Sequence, residues 1–349
     1  MVALTGLAGL GIAFNLGLAD RSVAATAALF DDVIDTIRYA ERAGIDSVWI
    51  GQHHFDVTPG PIPSPLVLLA AVARETSRIA LGTGIVTLPL EDPIRLAEDA
   101  GVLDVLSGGR VHLGVGTGGA NLPGFAAFGL DSDRRHALYD ERIARLDTAL
   151  RGEPLAAVGS PRIQPHVPGL SRRVWEGVTS DERARTAARR DHGIQLGAFF
   201  DPAGSGQHPK SAAYVEELRR VHPASEPRVG AFRFLYVGDS RDDVAARLRP
   251  TLAARLGFLG ERAAQSGDPS LAGVTPREYL ERVALFGSPD DVVDDARRDP
   301  VLRDHATHLV ANSSYHDTFD AAHARSTIDA LVTTIAPALG WSPAAPALV

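Results

Sequence analysis

Short β-favouring runs alternate with amphipathic helical stretches along almost the whole chain, and that alternation obliges the strands to lie parallel with helices packed on their outer face. Gly11 to Ala19 reads as a strand. Thr26 to Gly44 reads as a helix, with Phe30, Val33, Ile34 and Ile37 on one stripe and Gly44 as its stop. The unit recurs as strand Ser47 to Gly51 with helix Ser64 to Thr76, strand Ile79 to Leu88 with helix Pro93 to Leu106, and strand Arg110 to Gly116 with helix Asp133 to Leu150. After a Pro-rich connection from Glu153 to Ser171 come strand Arg173 to Val178 and helix Asp181 to Arg190. Strands Ile194 to Phe200 and Arg228 to Val237 follow, each with a helix behind it. A helix from Pro289, a last strand His305 to Ser313 and a helix Asp317 to Ile335 complete about eight βα units, the number that closes a barrel. The expectation is an α/β fold, a (β/α)8 TIM barrel. No composition shift marks a linker, so residues 1–340 read as one domain, with an irregular insertion at about 256–285 and a tail from 341 to 349 that is frayed or packed on the surface.

Composition narrows the chemistry. Of 349 residues, 45% are apolar, enough for a large core, and the 35 basic and 43 acidic residues leave a formal charge of −8, which opposes attraction to nucleic acid or anionic lipid. Lys210 is the single lysine, and its setting Gln207-His208-Pro209-Lys210 is not that of a phosphate-binding P-loop. The chain has no cysteine, which removes disulfides, thiolate nucleophiles, iron–sulfur ligation and cysteine-based zinc sites. The uncharged first 19 residues lack a basic leader and are broken by Asn15 and glycines, so they read as a buried strand rather than a signal peptide. No other run reaches a membrane span, and a soluble cytoplasmic protein is expected.

In such a barrel the chemistry lies at the carboxyl ends of the strands. The second strand runs into Gln52-His53-His54-Phe55. Imidazoles there suit general acid–base work, although neighbours on an extended chain diverge, so one of the two faces the pocket. The bland alternative is a pair of hydrogen-bonded structural histidines. The third strand carries Gly82 and Gly84, which signal either close approach of a flat ligand or tight packing on a neighbouring strand. Gly114-Val115-Gly116-Thr117-Gly118-Gly119 matches a dinucleotide fingerprint in pattern but not in context: three βα units precede it and no helix is expected directly after it. A glycine-rich loop bordering a cofactor in another geometry fits better. Val178-Thr179-Ser180-Asp181 opens a helix whose free N–H groups, hydroxyls and nearby Arg183 or Arg185 would hold an anion; an ordinary N-cap explains Ser180 and Asp181 equally.

Together these segments resemble the luciferase-like monooxygenase family. The likeness rests on Ala43 to Trp49 followed by His53-His54-Phe55, on Ile79 to Leu88 with Pro93 and Glu98, and on Leu103 to Arg110. Ala187-Ala188 after the Thr179-Ser180 turn and Phe286 to Val292 extend it. It implies a flavin-dependent oxidoreductase that takes reduced FMN (FMNH2) from a separate flavin reductase and, with O2, oxidises a small-molecule substrate through a flavin peroxide. Hydride transfer with a deazaflavin, coenzyme F420, on the same barrel is the alternative. By the same resemblance His53, with His54 beside it, is catalytic; Thr83, Gly84, Gly116 and Thr117 border the flavin ring, with a non-proline cis peptide near Gly84; and Val178, Thr179, Ser180 and Arg183 hold the phosphate end. A homodimer joined by the helices after the second and third strands is implied too, consistent with the apolar run Leu66 to Val72. Gln52 replaces a usual glutamate and Thr117 a usual arginine. Two other readings stay open, a flavin-binding protein without catalysis and a metal-dependent hydrolase, the latter weakened because His53 and His54 diverge and no second ligand pair has metal-site spacing. The loops Asp56 to Pro63 and Asn121 to Asp131 and the irregular Leu256 to Leu285 region are expected to shape the substrate pocket.

Overall fold

The computed structural model describes residues 6–14, 16–55, 60, 62–119, 122–197, 206–266, 273–314 and 318–343, of which 122–123, 254–255 and 258–266 by their backbone alone. In chain order the elements are β1 (Gly9–Phe14), α1 (Val23–Ala43), β2 (Ser47–Ile50), α2 (Pro65–Glu75), β3 (Ala80–Thr83), β4 (Val86–Thr87), α3 (Pro93–Ser107), β5 (Val111–Gly116), α4 (Leu122–Ala127) and α5 (Arg135–Leu150). Then come β6 (Val174–Gly177), α6 (Asp181–Arg189), β7 (Gly193–Gly197), α7 (His208–Val221), β8 (Val229–Val237), α8 (Arg241–Ser266), α9 (Pro276–Val283), β9 (Ala284–Gly287), α10 (Pro289–Arg298), α11 (Pro300–Asp304), β10 (His308–Asn312) and α12 (Ala321–Ala330).

The strands pair in parallel in the order β10, β1, β2, β3, β5, β6, β7, β8, and β8 pairs back onto β10, which closes the barrel. This is the (β/α)8 TIM barrel that the alternation demanded. Helices begin where the sequence places caps. Asp92 accepts from the N–H groups of Ile94 and Arg95 at the start of α3, and Ser288 and Asp291 form a reciprocal capping box at α10. Gly44 ends α1 at φ 104°, a left-handed turn that favours glycine.

Several boundaries differ from the sequence reading. β1 starts at Gly9 and ends at Phe14 rather than running from Gly11 to Ala19, and the Ile79 to Leu88 strand breaks into β3 and β4 at Gly84–Ile85. A short helix, α4, does follow the glycine-rich loop, so that argument against a dinucleotide turn fails; the position of β5 as the fourth barrel strand still stands against it. The segment expected to be irregular is ordered where it is described: α8 continues to Ser266, α9 follows, and β9 pairs with the upper half of β8, Phe234 to Val237, while Gly230 to Phe234 pair with β10. Alternation failed to reveal β9 because it adds to one end of a strand already in the barrel. Trp341 is not frayed. Its ring is 3% exposed in the main core, and its Nε1 donates to Asp46 Oδ2 at 2.8 Å. An indole with a buried acceptor gains more from packing than a solvent-facing tail offers. Residues 198–200 of the expected strand Ile194 to Phe200, and 344–349 of the tail, lie outside the described residues. Among the described residues no helix is long and apolar enough to cross a membrane.

The barrel interior is filled by Trp49, Trp175 and Phe232 with Ala13 and Val310. The two indoles meet edge to face at 5.5 Å, and Trp49 meets Phe232 at 5.3 Å. Glycines on neighbouring strands make the room. A Cβ on Gly82 would come within 2.3 Å of Trp49, and one on Gly193 within 2.6 Å of Trp175. Gly82 is therefore explained by packing, the bland alternative for that strand. His112 and His308 complete this layer: Trp175 Nε1 donates to His112 Nδ1 at 3.0 Å, and the His308 ring lies 5.3 Å from Trp175.

Candidate functional site

At the carboxyl ends of β2, β3 and β5 the interior gives way to backbone. The Gly84–Ile85 peptide is cis, as the resemblance implied. Gly84 N–H donates to Ile50 O at 2.9 Å, so the turn is held directly against the end of β2. Beneath it, Thr83 Oγ1 donates to Gly114 O at 2.7 Å and accepts from Gly114 N–H at 2.8 Å. Gln195 of β7 donates from Nε2 to Thr83 O at 3.0 Å. This crowding needs a glycine at 114, where a Cβ would lie 1.9 Å from Thr83 O. Thr83 itself is buried; Gly84 is exposed at the mouth. The Ile85 side chain turns down and touches the positions that a Cβ on Gly116 or Gly177 would take, at 3.0 and 3.4 Å. The result is a rim of glycine backbone in which Gly84 and Gly119 are exposed, Gly51 is half-buried and Gly116 is buried under Ile85; a Cβ on Gly119 would meet nothing within 4 Å, and one on Gly84 would meet Phe232 at 3.3 Å.

His53 stands at this rim. The position of a Cβ on Gly51 lies 3.6 Å from His53 Nε2 and 3.3 Å from Gly84 O, which puts the imidazole beside the cis turn. Burial, with His54 next to it, holds the His53 pKa down to about 4. The ring is neutral near pH 7. His54 is 8% exposed and packs instead against Phe128 and Phe55, at 5.0 and 5.8 Å between ring centroids. Burial lowers its pKa, with the Glu91 charge opposing. The two histidines thus diverge, as neighbours on an extended chain must. Phe55 has φ 62°, a left-handed conformation that bulky residues seldom adopt, and both Phe55 and Phe128 are exposed. They form an aromatic wall next to the rim. Of the three regions expected to shape the pocket, Asp56 to Pro59, Pro61, Asn121 and residues 267–272 lie outside the described residues.

On the far side, Ser180 caps α6 and its Oγ accepts from Arg183 N–H at 3.3 Å, so the ordinary N-cap is realised. Val178 is buried, while Thr179 and Ser180 are exposed. Arg183 is engaged by Asp140 of α5, with Nη2 to Oδ2 at 3.1 Å, and its guanidinium lies 5.5 Å from the centre of the Tyr139 ring. The hydrogen bond to Asp140 raises its pKa. Arg185 pairs with Glu216 at 3.0 Å. Thr117 is half-buried beside Gly118. Two residues that sequence reasoning passed over are part of the construction, Gln195 and Glu91. Gln195 had a usable signal, a polar residue between apolar ones on a buried strand; Glu91, in a turn, had none. Among the described residues no cluster of histidine and acidic side chains could hold a metal ion.

Comparison with known proteins gives the family and the fold. A family model described as luciferase-like monooxygenase matches residues 14–298. The protein y4vJ of Sinorhizobium fredii is 30% identical over 187 residues, 50% of this chain and 52% of that protein, so the chain matches about half the length of that relative. The oxygenase component of a flavin-dependent trigonelline monooxygenase from Acinetobacter baylyi is 24% identical over 76% of this chain and 79% of its own. Among solved structures, the oxygenating constituent of 3,6-diketocamphane monooxygenase from Pseudomonas putida, in complex with FMN, superposes with a TM-score of 0.71 at 19% identity, covering 97% of this chain and 100% of that one. The coenzyme F420-dependent tetrahydromethanopterin reductase of Methanopyrus kandleri gives 0.65 at 18% identity, over 95% of this chain and 99% of its own. At these identities the two structures speak for the fold.

Proposed function

The chain belongs to the luciferase-like monooxygenase family, and on that footing we propose that it is the oxygenase of a two-component flavin monooxygenase, receiving reduced FMN from a separate reductase and oxidising a small organic substrate with O2. The observation that carries this reading is the cis Gly84–Ile85 turn at the barrel mouth, where Gly84 exposes backbone and the His53 ring stands beside it. A flat tricyclic ring needs a surface without Cβ atoms. Gly84, Gly116 and Thr117 would border its face, with Thr83 and Gln195 holding that surface from below. Val178, Thr179 and Ser180, at the N-terminus of α6, would take the phosphate end, where free N–H groups and the helix dipole favour an anion. Arg183 adds its charge there only if it leaves Asp140.

When bound, reduced flavin supplies the reaction with O2. The chain supplies position, dryness and protons. A neutral His53 accepts a proton at one ring nitrogen and donates from the other, so it can hold or pass a proton at the rim without first releasing one. His54, locked against Phe55 and Phe128, backs this position. The exposed faces of those two rings suit an organic substrate with apolar surface.

We also propose a homodimer through α2 and α3. Val67, Val105, Val102 and Leu106 are 72, 61, 47 and 42% exposed on these helices, and a cavity of about 330 Å³ lies between them. Apolar exposure of this kind marks a face that is covered in the working protein.

The experiment is titration of the apoprotein with FMN and with coenzyme F420, oxidised and chemically reduced, followed by fluorescence and absorbance. Preference for reduced FMN supports the monooxygenase. Preference for the deazaflavin replaces it with hydride transfer, and absence of binding by either rejects both.

A further inference from the structure

Gln52 precedes the two histidines, and its carboxamide is fully used. Oε1 accepts from Thr87 N–H at 2.7 Å, while Nε2 donates to Glu91 Oε1 at 2.6 Å and to Pro63 O at 3.1 Å. The partners fix the orientation, because a backbone N–H only donates and a carbonyl or carboxylate oxygen only accepts. The backbone is tied as firmly: Gln52 N–H donates to Ile85 O at 3.1 Å and His53 N–H to Ile62 O at 2.9 Å. One residue therefore joins the end of β2, the cis turn, the turn after β4 and the approach to α2. Gln52 itself is 6% exposed, and Glu91 is half-buried.

We propose that Gln52 is a positioning residue that holds His53 against the Gly84–Ile85 turn, and that its being an amide, not an acid, makes this hold independent of pH. A carboxylate at the same place would keep the Thr87 N–H but would have no hydrogen to offer Glu91 or Pro63 O. Two carboxyl groups at that separation share one proton, and the pair titrates with one raised pKa. Its stabilisation is present while the proton is held and is lost as pH rises through that raised value. The amide has no proton to lose. The charged and titratable groups around the clasp act on the same balance. Asp99 of α3 lines the cavity that Gln52 and Glu91 also line and would strengthen retention of the proton. Arg142 of α5, donating to Pro89 O at 2.5 Å and Glu91 O at 2.8 Å, would weaken it. His53 and His54, on the clasp's own segment, are neutral near pH 7 by burial.

The positioning role rests on the Gly84–Ile85 turn facing the flavin, and flavin affinity reads that turn, on which His53 is held; the pH argument does not rest on it. The test compares the full-length protein with Gln52→Glu and Gln52→Leu. Thermal unfolding is followed between pH 5 and pH 8.5, and reduced FMN affinity is measured anaerobically by fluorescence at pH 6 and pH 8.5. Q52E is expected to melt within about 2 °C of the parent at pH 5 and at least about 5 °C below it at pH 8.5. Its affinity should be near the parent's at pH 6 and at least about tenfold weaker at pH 8.5. Q52L should be impaired at both. A Q52E deficit that is absent or constant across this range overturns the proposal, and this comparison decides even if Q52L does not fold. An unchanged affinity with the expected melting behaviour overturns the positioning role alone. If the parent itself binds no reduced FMN, the cofactor assignment fails, and melting alone decides the clasp.

Discussion

Glycine is used in opposite ways in the interior of the barrel and at its mouth. Inside, Gly82 and Gly193 are spaces already taken by Trp49 and Trp175, and Gly114 lies against the Thr83 carbonyl. At the mouth, Gly119 meets nothing and Gly84 is exposed. The same residue type packs a core in one place and leaves open space at Gly119 in another, while Gly84 does both, with its backbone exposed and its Cβ position against Phe232. Sequence cannot tell these apart, because in both cases the pattern is a glycine on a strand or at its end. The histidines divide the same way: His112 and His308 are packing in the interior, and His53 is at the rim.

The sharpest way to break this comparison is His53→Ala. If the mouth is for chemistry, turnover with reduced FMN and O2 should fall by about 10²–10⁴-fold while flavin affinity and melting temperature stay close to the parent. Unchanged turnover would leave His53 a structural residue and would favour a flavin-binding protein without catalysis. Gly114→Ala should do the reverse, destabilising the fold by about 3 kcal/mol, the upper part of the range for overpacking, since the clash is with backbone. Urea unfolding measures it, and a change under about 1 kcal/mol would show that the strand ends yield more readily than the geometry implies.

The third test sets buried histidines against each other. Burial, then the His308 charge and nearby arginines, holds His112 down to about 3; burial, with Asp46 opposing and Arg228 assisting, holds His308 down to about 4. The unfolded chain binds these protons from about pH 6.5 downward while the folded chain does not, so stability should fall between pH 6.5 and 4 by up to about 1.4 kcal/mol per pH unit for each group. His192 behaves oppositely. Burial opposes its charge, but Asp147 and Glu176, the latter 2.9 Å from its Nδ1, prevail and raise it to about 9. Its contribution is complete below pH 6.5 and is lost as pH rises through 9. Unfolding free energy across pH 4–10 should therefore drop on both sides. His112→Asn should flatten the acid side and His192→Gln the alkaline side; an acid limb unaltered by the first would mean that other groups carry it. The smallest effect is expected of Gly119→Ala, under about 0.5 kcal/mol, because nothing lies where the methyl group would go. A larger loss would mean that the rim is more crowded than its surroundings indicate.

Much of this molecule was legible in order of residues. The strand and helix periods, with caps such as Asp92 and Ser288, determined eight βα units and therefore a parallel barrel, and the rule that chemistry gathers at strand ends singles out His53, Gly84 and Ser180 from sequence alone. The resemblance added the cis peptide beside Gly84. What the sequence lacked was anything set by contacts between distant segments. Whether Gly82 faces an indole or a ligand depends on the rotamer of Trp49, thirty-three positions earlier. That Arg183 is held by Asp140, that Trp341 is buried on Asp46, and that Gln52 clasps Glu91 each require two segments to meet whose pairing no local period encodes. Local pattern determined which elements form, because backbone hydrogen bonding and the burial of one face are properties of neighbours along the chain. Tertiary structure alone decided which side chains are spent on packing and which remain at the mouth, because that depends on the volume left when all eight strands have closed.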